Sequence, residues 1–172
     1  KIDSDIVIIG AGLSGLCLAI EIIKRTKFTV LLLEKKRKLQ KDKNWCFWNY
    51  PKNMFTTKYN NSWENIKIFA NREEIIKSDR CFKYLRLSSD RFYDLSFKLL
   101  KNNKNCKIKF NSKIKKISEK NGFVKILVND KTVTCKMLFN SIPKPLIRNE
   151  LKQHFLGLEV TSNKKVFNNR EI

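Results

Sequence analysis

The run Gly10-Ala11-Gly12-Leu13-Ser14-Gly15 constrains this chain more than any other feature. It has the form G-x-G-x-x-G, which is weak evidence alone and strong evidence in the right setting. Before it lies Ile6–Ile9, an unbroken apolar run that predicts a strand buried on both faces of a parallel sheet. After it, Leu16, Leu18, Ala19, Ile20, Ile22 and Ile23 predict a buried helix, with Lys24 and Arg25 at the end where the helix dipole favours cations. Thr29–Leu33 predicts a second buried strand, closed by Glu34. The result is a β-α-β unit in about 30 residues.

Each part of that turn has a chemical reason. Gly10 permits the tight turn, Gly12 removes a side chain that would block a pyrophosphate, and Gly15 lets helix and strand approach closely. Backbone N–H groups at the helix start, around Ala11, Leu13 and Ser14, then face the phosphates with the helix dipole behind them. Glu34 falls about 20 residues past the last glycine, where a carboxylate accepts hydrogen bonds from both ribose hydroxyls and repels a 2′-phosphate. FAD or NAD is therefore expected in preference to NADP. Lys35, next to that acid, completes the candidate cofactor-binding set of this unit.

Beyond Glu34 the pattern changes. Lys35–Asn44 is a charged loop, interrupted by the aromatic stretch Trp45-Cys46-Phe47-Trp48. Ile66–Ala70 and Glu74–Lys77 predict short strands around Asn71-Arg72, and Phe82–Leu87 another. Ser88-Ser89-Asp90 can cap a helix over Arg91–Lys101, with Phe92, Leu95, Leu99 and Leu100 along its apolar side. Lys107–Phe110 predicts a third parallel strand. Three short strands follow, Lys113–Ser118, Phe123–Asn129 and Thr132–Lys136, with a type I′ signal at Asn121-Gly122 and a second turn at Asn129-Asp130-Lys131. Met137–Ser141 returns as an apolar strand, ended by Pro143 and Pro145, and His154–Thr161 predicts a last strand.

An NAD enzyme of one domain would continue with another α-β unit soon after Glu34. A meander inserted before a returning parallel strand is, by fold analogy, the order of two-domain flavoproteins. The expected fold is α/β: an FAD/NAD(P)-binding Rossmann-like parallel sheet with an inserted three-stranded antiparallel meander and the start of a β-rich substrate domain. The expected divisions are 1–50 for the βαβ unit, 60–87 for the start of the substrate domain, 88–141 for the rest of the FAD-binding sheet, and 150–172 for the return to the substrate domain. The chain starts at Lys1 rather than Met and stops at Ile172 soon after an apolar stretch, so it reads as the N-terminal fragment of a longer protein.

Composition excludes several classes. A hydrophobic fraction of 42%, with 12 Phe and 3 Trp, supports a real core and argues against disorder. The formal charge is +21, yet the lysines are spread along the chain with no dense basic block, so no nucleic-acid partner is expected. The cysteines, Cys17, Cys46, Cys81, Cys106 and Cys135, are odd in number and form no C-x-x-C pair. With a single histidine, His154, they predict neither a disulfide framework nor a metal site. Ile6–Ile20 is uncharged but shorter than a membrane span and broken by three glycines.

Four segments resemble the lycopene cyclase family. Asp42-Lys43-Asn44-Trp45-Cys46-Phe47-Trp48 resembles the D-R-T-W-C-F-W of those enzymes, and is the most specific match. The run from Tyr84 to Tyr93 resembles Y-x-x-I-x-S-x-x-F-Y, Leu138–Pro143 resembles V-F-D-S-R-P, and Gln153–Val160 resembles Q-H-F-L-G-W-E-V. The matches keep family order. Asn140, Ile142 and Leu158 stand where the family usually has Asp, Arg and Trp.

The resemblance implies cyclisation of the ends of lycopene, or a related linear carotene, to ionone rings with no net redox change. A carboxylic acid protonates the polyene, and reduced FAD, with NADPH as reductant, stabilises the cation. It implies that Ser89 contacts the cofactor and that Trp45, Phe47 and Trp48 line the polyene path or the flavin edge, or else are core aromatics closing the loop over the sheet. The proton donor of the family falls beyond Ile172, so the catalytic residues are unknown here; Glu159 is the acid in the last matched strand. It also implies a cytoplasmic protein attached peripherally to the membrane that holds its substrate, with positive charge contributing. The competing expectations are another FAD-dependent oxidoreductase, such as a hydroxylase or isoprenoid reductase, and a non-catalytic remnant.

Overall fold

A computed structural model describes residues 2–50, 58–142 and 163–164. The chain divides into two compact units, one formed by Lys1–Lys41 with Asp90–Lys144, the other by Asp42–Ser89 with Pro145–Ile172. The expected strand His154–Thr161, the prolines after Ile142 and Glu159 lie outside the described residues.

The first unit is built on β1 (Ser4–Ile9), α1 (Leu13–Arg25) and β2 (Val30–Leu33). Ile6–Ile9 and all of β2 are buried, as a strand with helix or sheet on both faces must be. α1 turns Gly15, Leu16, Ala19 and Ile20 inward, one stripe of a 3.6-residue period. Its last turn carries Lys24 and Arg25, and Arg25 Nε donates to Glu21 at 2.7 Å, an exposed pair of small worth. The N-terminal edge is tied by Asp5, whose carboxylate accepts from the Thr29 N–H at 2.9 Å, the Thr29 hydroxyl at 2.7 Å and Lys136 Nζ at 2.8 Å. These bonds hold the Asp5 carboxyl well below the usual carboxylate range, Lys136 contributing most.

After the strands of the second unit, numbered β3–β7 in chain order, come α2 (Ser89–Leu100, all but its first residue in the first unit), β8 (Cys106–Lys109), β9 (Ile114–Lys120), β10 (Phe123–Val128) and β11 (Lys131–Asn140). One six-stranded sheet results, in the order β8-β2-β1-β11-β10-β9. β8, β2, β1 and β11 run parallel, and β9, β10 and β11 form the antiparallel meander. This is the Rossmann-like parallel sheet with inserted meander. Val7, Ile9, Leu31 and Leu33 share a buried cluster with Ile126, Val128, Val133 and Cys135, so the meander contributes to the same core as the parallel strands. Both meander turns put their two central residues at positive φ, Asn121 (54°) with Gly122 (73°) and Asn129 (45°) with Asp130 (69°), the type I′ geometry that suits strand twist.

Three expectations change in this unit. Thr132–Lys136 and Met137–Ser141 are one strand. β11 pairs with β10 from Lys131 to Cys135 and with β1 from Cys135 to Asn140. The inward positions Val133, Cys135 and Leu138 change phase between 135 and 138, and that break in alternation makes one strand read as two. The second turn has two central residues, and Lys131 already belongs to β11. On α2 the inward positions are Phe92, Tyr93, Ser96 and Leu100, whereas Leu99 is half exposed, because 92, 96 and 100 share a face and 99 falls beside it.

The second unit holds β3 (Asn44–Trp48), β4 (Asn61–Trp63), β5 (Asn65–Ala70), β6 (Glu73–Ser78) and β7 (Tyr84–Ser88). β3, β7 and β4 form an antiparallel sheet in that order, and β5 and β6 pair as a hairpin around Asn71-Arg72. The aromatic stretch, which the sequence showed only as an interruption of a charged loop, is therefore a regular strand, alternating half-buried Trp45 and Phe47 with exposed Asn44, Cys46 and Trp48. β4, too short for a periodic signal, was not expected.

Candidate functional site

The glycine turn sits at the C-terminal ends of β1 and β2, the end of an open α/β sheet where ligands bind. Gly10 has φ +99°, a backbone region closed to other residues, and its N–H donates to the Leu33 carbonyl at 2.8 Å. A methyl on Gly10 would collide with the Ser141 hydroxyl, which itself donates to the Ile9 carbonyl. A methyl on Gly15 would lie 2.0 Å from the Gly10 carbonyl oxygen, so helix and strand meet there at a distance only glycine allows. Gly12 differs from both: a methyl there meets nothing within 4 Å. The space its missing side chain leaves is open.

Gly12 is also the N-cap of α1. It offers no side-chain cap, and the first turn carries no acid. The first N–H groups of the helix thus lack the partners that Ser, Asp or Glu usually supply. Leu13 is half-buried and Ser14 exposed at this end.

Glu34 follows β2 and is 9% exposed. Its Oε2 accepts from the Ala11 N–H at 2.8 Å and its Oε1 from the Lys36 N–H at 2.9 Å. A carboxylate has about four acceptor positions, so two stay available to a ligand. The acid is fixed between the glycine turn and the next loop before any ligand arrives. Beside it opens a cleft of about 360 Å³, lined among others by Gly10, Glu34, Lys35, Ser112, Ile114 and Ser141. That is within the range of cofactor sites.

An adenosine diphosphate fits this donor set. A pyrophosphate would find open ground at Gly12 and uncapped N–H groups, ribose hydroxyls would find two carboxylate positions on Glu34, and the cleft would give a base an apolar wall at Ile9, Leu33 and Ile114. Ser112, Ile114 and Ser141 were not foreseen. Ser112 lies just past β8, Ile114 opens β9 and Ser141 follows β11, and the signal was positional: residues following parallel strands gather at one end of the sheet.

Ser89 belongs to the other unit and is fully buried. Its hydroxyl oxygen accepts from the Asp42 and Lys43 N–H groups at 3.1 and 3.2 Å, and its own N–H donates to the Lys43 carbonyl at 2.9 Å. It fastens the start of β3 to the end of β7. The thiols of Cys17, Cys106 and Cys135 are all pushed up by burial, that of Cys17 to about 11 with Glu21 adding to the effect. They are poor nucleophiles.

The fold and this turn define an FAD/NAD(P)-binding Rossmann-like protein. Solved structures share the fold. CtdE in complex with FAD and substrate 4 has a TM-score of 0.64 at 17% identity, over 80% of this chain and 37% of its own. p-Nitrophenol 4-monooxygenase PnpA from Pseudomonas putida DLL-E4 gives 0.58 at 14%, over 81% and 40%. PqsL, a probable FAD-dependent monooxygenase from Pseudomonas aeruginosa, gives 0.62 at 14%, over 78% and 41%. The chain thus spans about two fifths of their length. None of the curated proteins matches it. Residues 5–172 match the lycopene cyclase protein family, and the chain belongs to that family.

Proposed function

We propose that this chain is the dinucleotide-binding part of a flavin-dependent lycopene cyclase, which closes the ends of a linear carotene into ionone rings without net redox change. The observation that carries the reading is the coincidence of a family match over residues 5–172 with a glycine turn, a fixed Glu34 and a cleft whose donors and walls suit adenosine diphosphate. FAD, kept reduced at the expense of NADPH, would supply fixed negative charge close to a cationic polyene. The chain's own residues bind and orient. The N–H groups after Gly12 hold the pyrophosphate, Glu34 takes the ribose hydroxyls and disfavours a 2′-phosphate, and Gly15 sets the depth at which the helix start meets the ligand. Lys35 offers a cation at the cleft mouth, and Ser89 keeps β3 and β7 in register.

Among the described residues no helix is long and apolar enough to cross a membrane. Peripheral attachment, with the formal charge of +21 assisting on anionic lipid, is part of the proposal.

The test is expression of the full reading frame in cells that accumulate lycopene, followed by pigment chromatography. Cyclised carotenoids are expected. Unchanged lycopene beside a folded flavoprotein would overturn the cyclase reading. The monooxygenase neighbours favour a second reading, an FAD-dependent hydroxylase, which oxygenated pigment or NADPH-driven oxygen consumption would reveal.

A further inference from the structure

The six-stranded sheet guards its two outer edges with charge. β8, at one end, has Lys107 and Lys109 exposed, and β9, at the other, has Lys115, Lys116, Glu119 and Lys120 exposed. Charged side chains on an edge discourage pairing with further strands. A third edge lies inside the sheet and lacks this protection. β11 pairs with β10 only as far as Cys135, which stands opposite Val124, and β10 opens at Phe123. That register leaves β10 no residue to set against Met137 or anything beyond it. From Met137 to Asn140, β11 has β1 on one side and, among the described residues, no strand on the other. The four residues Met137-Leu138-Phe139-Asn140 include no charge and no proline. An open edge presents unpaired N–H and C=O groups, and this one has none of the usual devices against pairing.

The side chains agree with the backbone. Met137 stands beside Ile6 and Phe139 beside Ile8 in the parallel register, so each pair shares a face of the sheet. Ile6 and Ile8 are 5% and 2% exposed, whereas Met137 and Phe139 are 51% and 37% exposed. Cover that is complete at β1 has stopped at β11. Leu138, on the opposite face, packs against the buried cluster shared with the meander. We propose that a further β-strand of the same polypeptide, from outside residues 1–172, pairs with Met137–Asn140 and sets apolar side chains against Met137 and Phe139. A continuous apolar run is the pattern of a strand paired on both sides and covered on both faces. A second copy of the chain suits the edge poorly. Four residues make a strip about 13 Å long, far short of the roughly 800 Å² per partner that a stable dimer buries. A strand tethered to the same protein needs no such area, because it meets the edge at high effective concentration. Proteins of this fold have residues to supply it, since this chain covers 37% of CtdE and 41% of PqsL. The inference rests on the sheet and not on the cyclase reading.

The experiment is photo-crosslinking in the product of the full reading frame, with a benzophenone-bearing residue in place of Met137 and, as a control, in place of Phe28, which is 49% exposed just before β2. Mixing isotopically heavy and light protein before irradiation separates crosslinks within one chain from those between two. Peptide mapping should find the Met137 probe joined, within one chain, to an apolar segment outside residues 1–172, and the Phe28 probe not joined to that segment. Crosslinks between heavy and light chains would assign the edge to a second copy and overturn the proposal. Crosslinks confined to residues 1–172, or none to protein at all, overturn it as well, as does the same segment captured from Phe28. A second measurement reads the energetics in the same full-length protein. Met137→Glu and Phe139→Glu should each lower the melting temperature by about 5 °C or more, because each sets a charge in a covered apolar contact. Phe28→Glu, with the same change of charge on an open surface, should shift it by about 1 °C or less. Equal shifts at all three positions would mean that the edge is open, against the proposal. Should the Met137→Glu or Phe139→Glu variant fail to fold, the crosslinks decide. Either outcome stands apart from whether cells make cyclised pigment, so failure here leaves the cyclase reading intact, and failure there leaves the added strand intact.

Discussion

Replacing Gly12 with alanine separates cofactor geometry from fold stability. Its backbone, φ −76° and ψ −171°, lies in a region any residue adopts, and the added methyl meets nothing within 4 Å. The unfolded chain loses freedom, which stabilises the fold by about 0.4–1 kcal/mol. Alanine is a poorer N-cap than glycine, which offsets this by about 0.5–1 kcal/mol. The net change is therefore about 0.5 kcal/mol or less in either direction. The bound state differs, because the methyl enters the space assigned to the pyrophosphate. Forced overpacking costs about 1–3 kcal/mol, equivalent to roughly 5- to 140-fold weaker FAD binding. Urea unfolding of the free protein and a fluorescence titration with FAD read the two effects separately. A variant of unchanged stability that binds FAD like wild type refutes the pyrophosphate placement. A stability loss above about 2 kcal/mol refutes the claim that the space is open.

Gly15→Ala should behave in the opposite way, losing at least 1–3 kcal/mol in urea because backbone must move away from the new methyl. Glu34→Gln should weaken FAD about tenfold and narrow the preference for NAD over NADP, since a neutral amide accepts less strongly and no longer repels a 2′-phosphate; equal selectivity in both proteins would count against its role. Asp5 is held below its ordinary value, so its stabilisation is complete above the unfolded pKa of about 4 and is lost as pH falls through and below it. The gap between wild type and Asp5→Asn in urea midpoint should shrink between pH 5 and pH 2, in steps of about one pH unit. With a thiol reagent under native conditions, exposed Cys46 and Cys81 should react first, half-buried Cys17 and Cys106 more slowly, and buried Cys135 only on unfolding.

Legibility followed locality. The βαβ unit could be read because its signals lie within thirty residues and each has one cause: a glycine for a turn, an acid after a strand, an apolar run for a buried one. The hairpin at Asn121-Gly122 was legible for the same reason. β3 was obscured because its aromatic residues fill both faces, which hides the alternation that its pairing with β7 imposes. β11 was divided because its buried side changes phase where its partners change. Half of the cleft was invisible because Ser112, Ile114 and Ser141 reach it only through the parallel order of β8, β2, β1 and β11. No spacing along the chain records that order.

β11 has a consequence for how the protein is made. β1 has one neighbour, β2, that arrives within thirty residues, and another, β11, whose bonds span 131 positions, as from the Thr134 N–H to Asp3. Such non-local pairing is slow, because a long loop must close before any contact rewards it. At roughly 5–20 residues per second of synthesis, β1 waits on the order of ten seconds with one edge bare. During that interval the apolar sequence Ile6–Ile9 is a template for any passing strand. The nascent chain is therefore most vulnerable to aggregation after its cofactor turn has formed and before its meander has emerged from the ribosome.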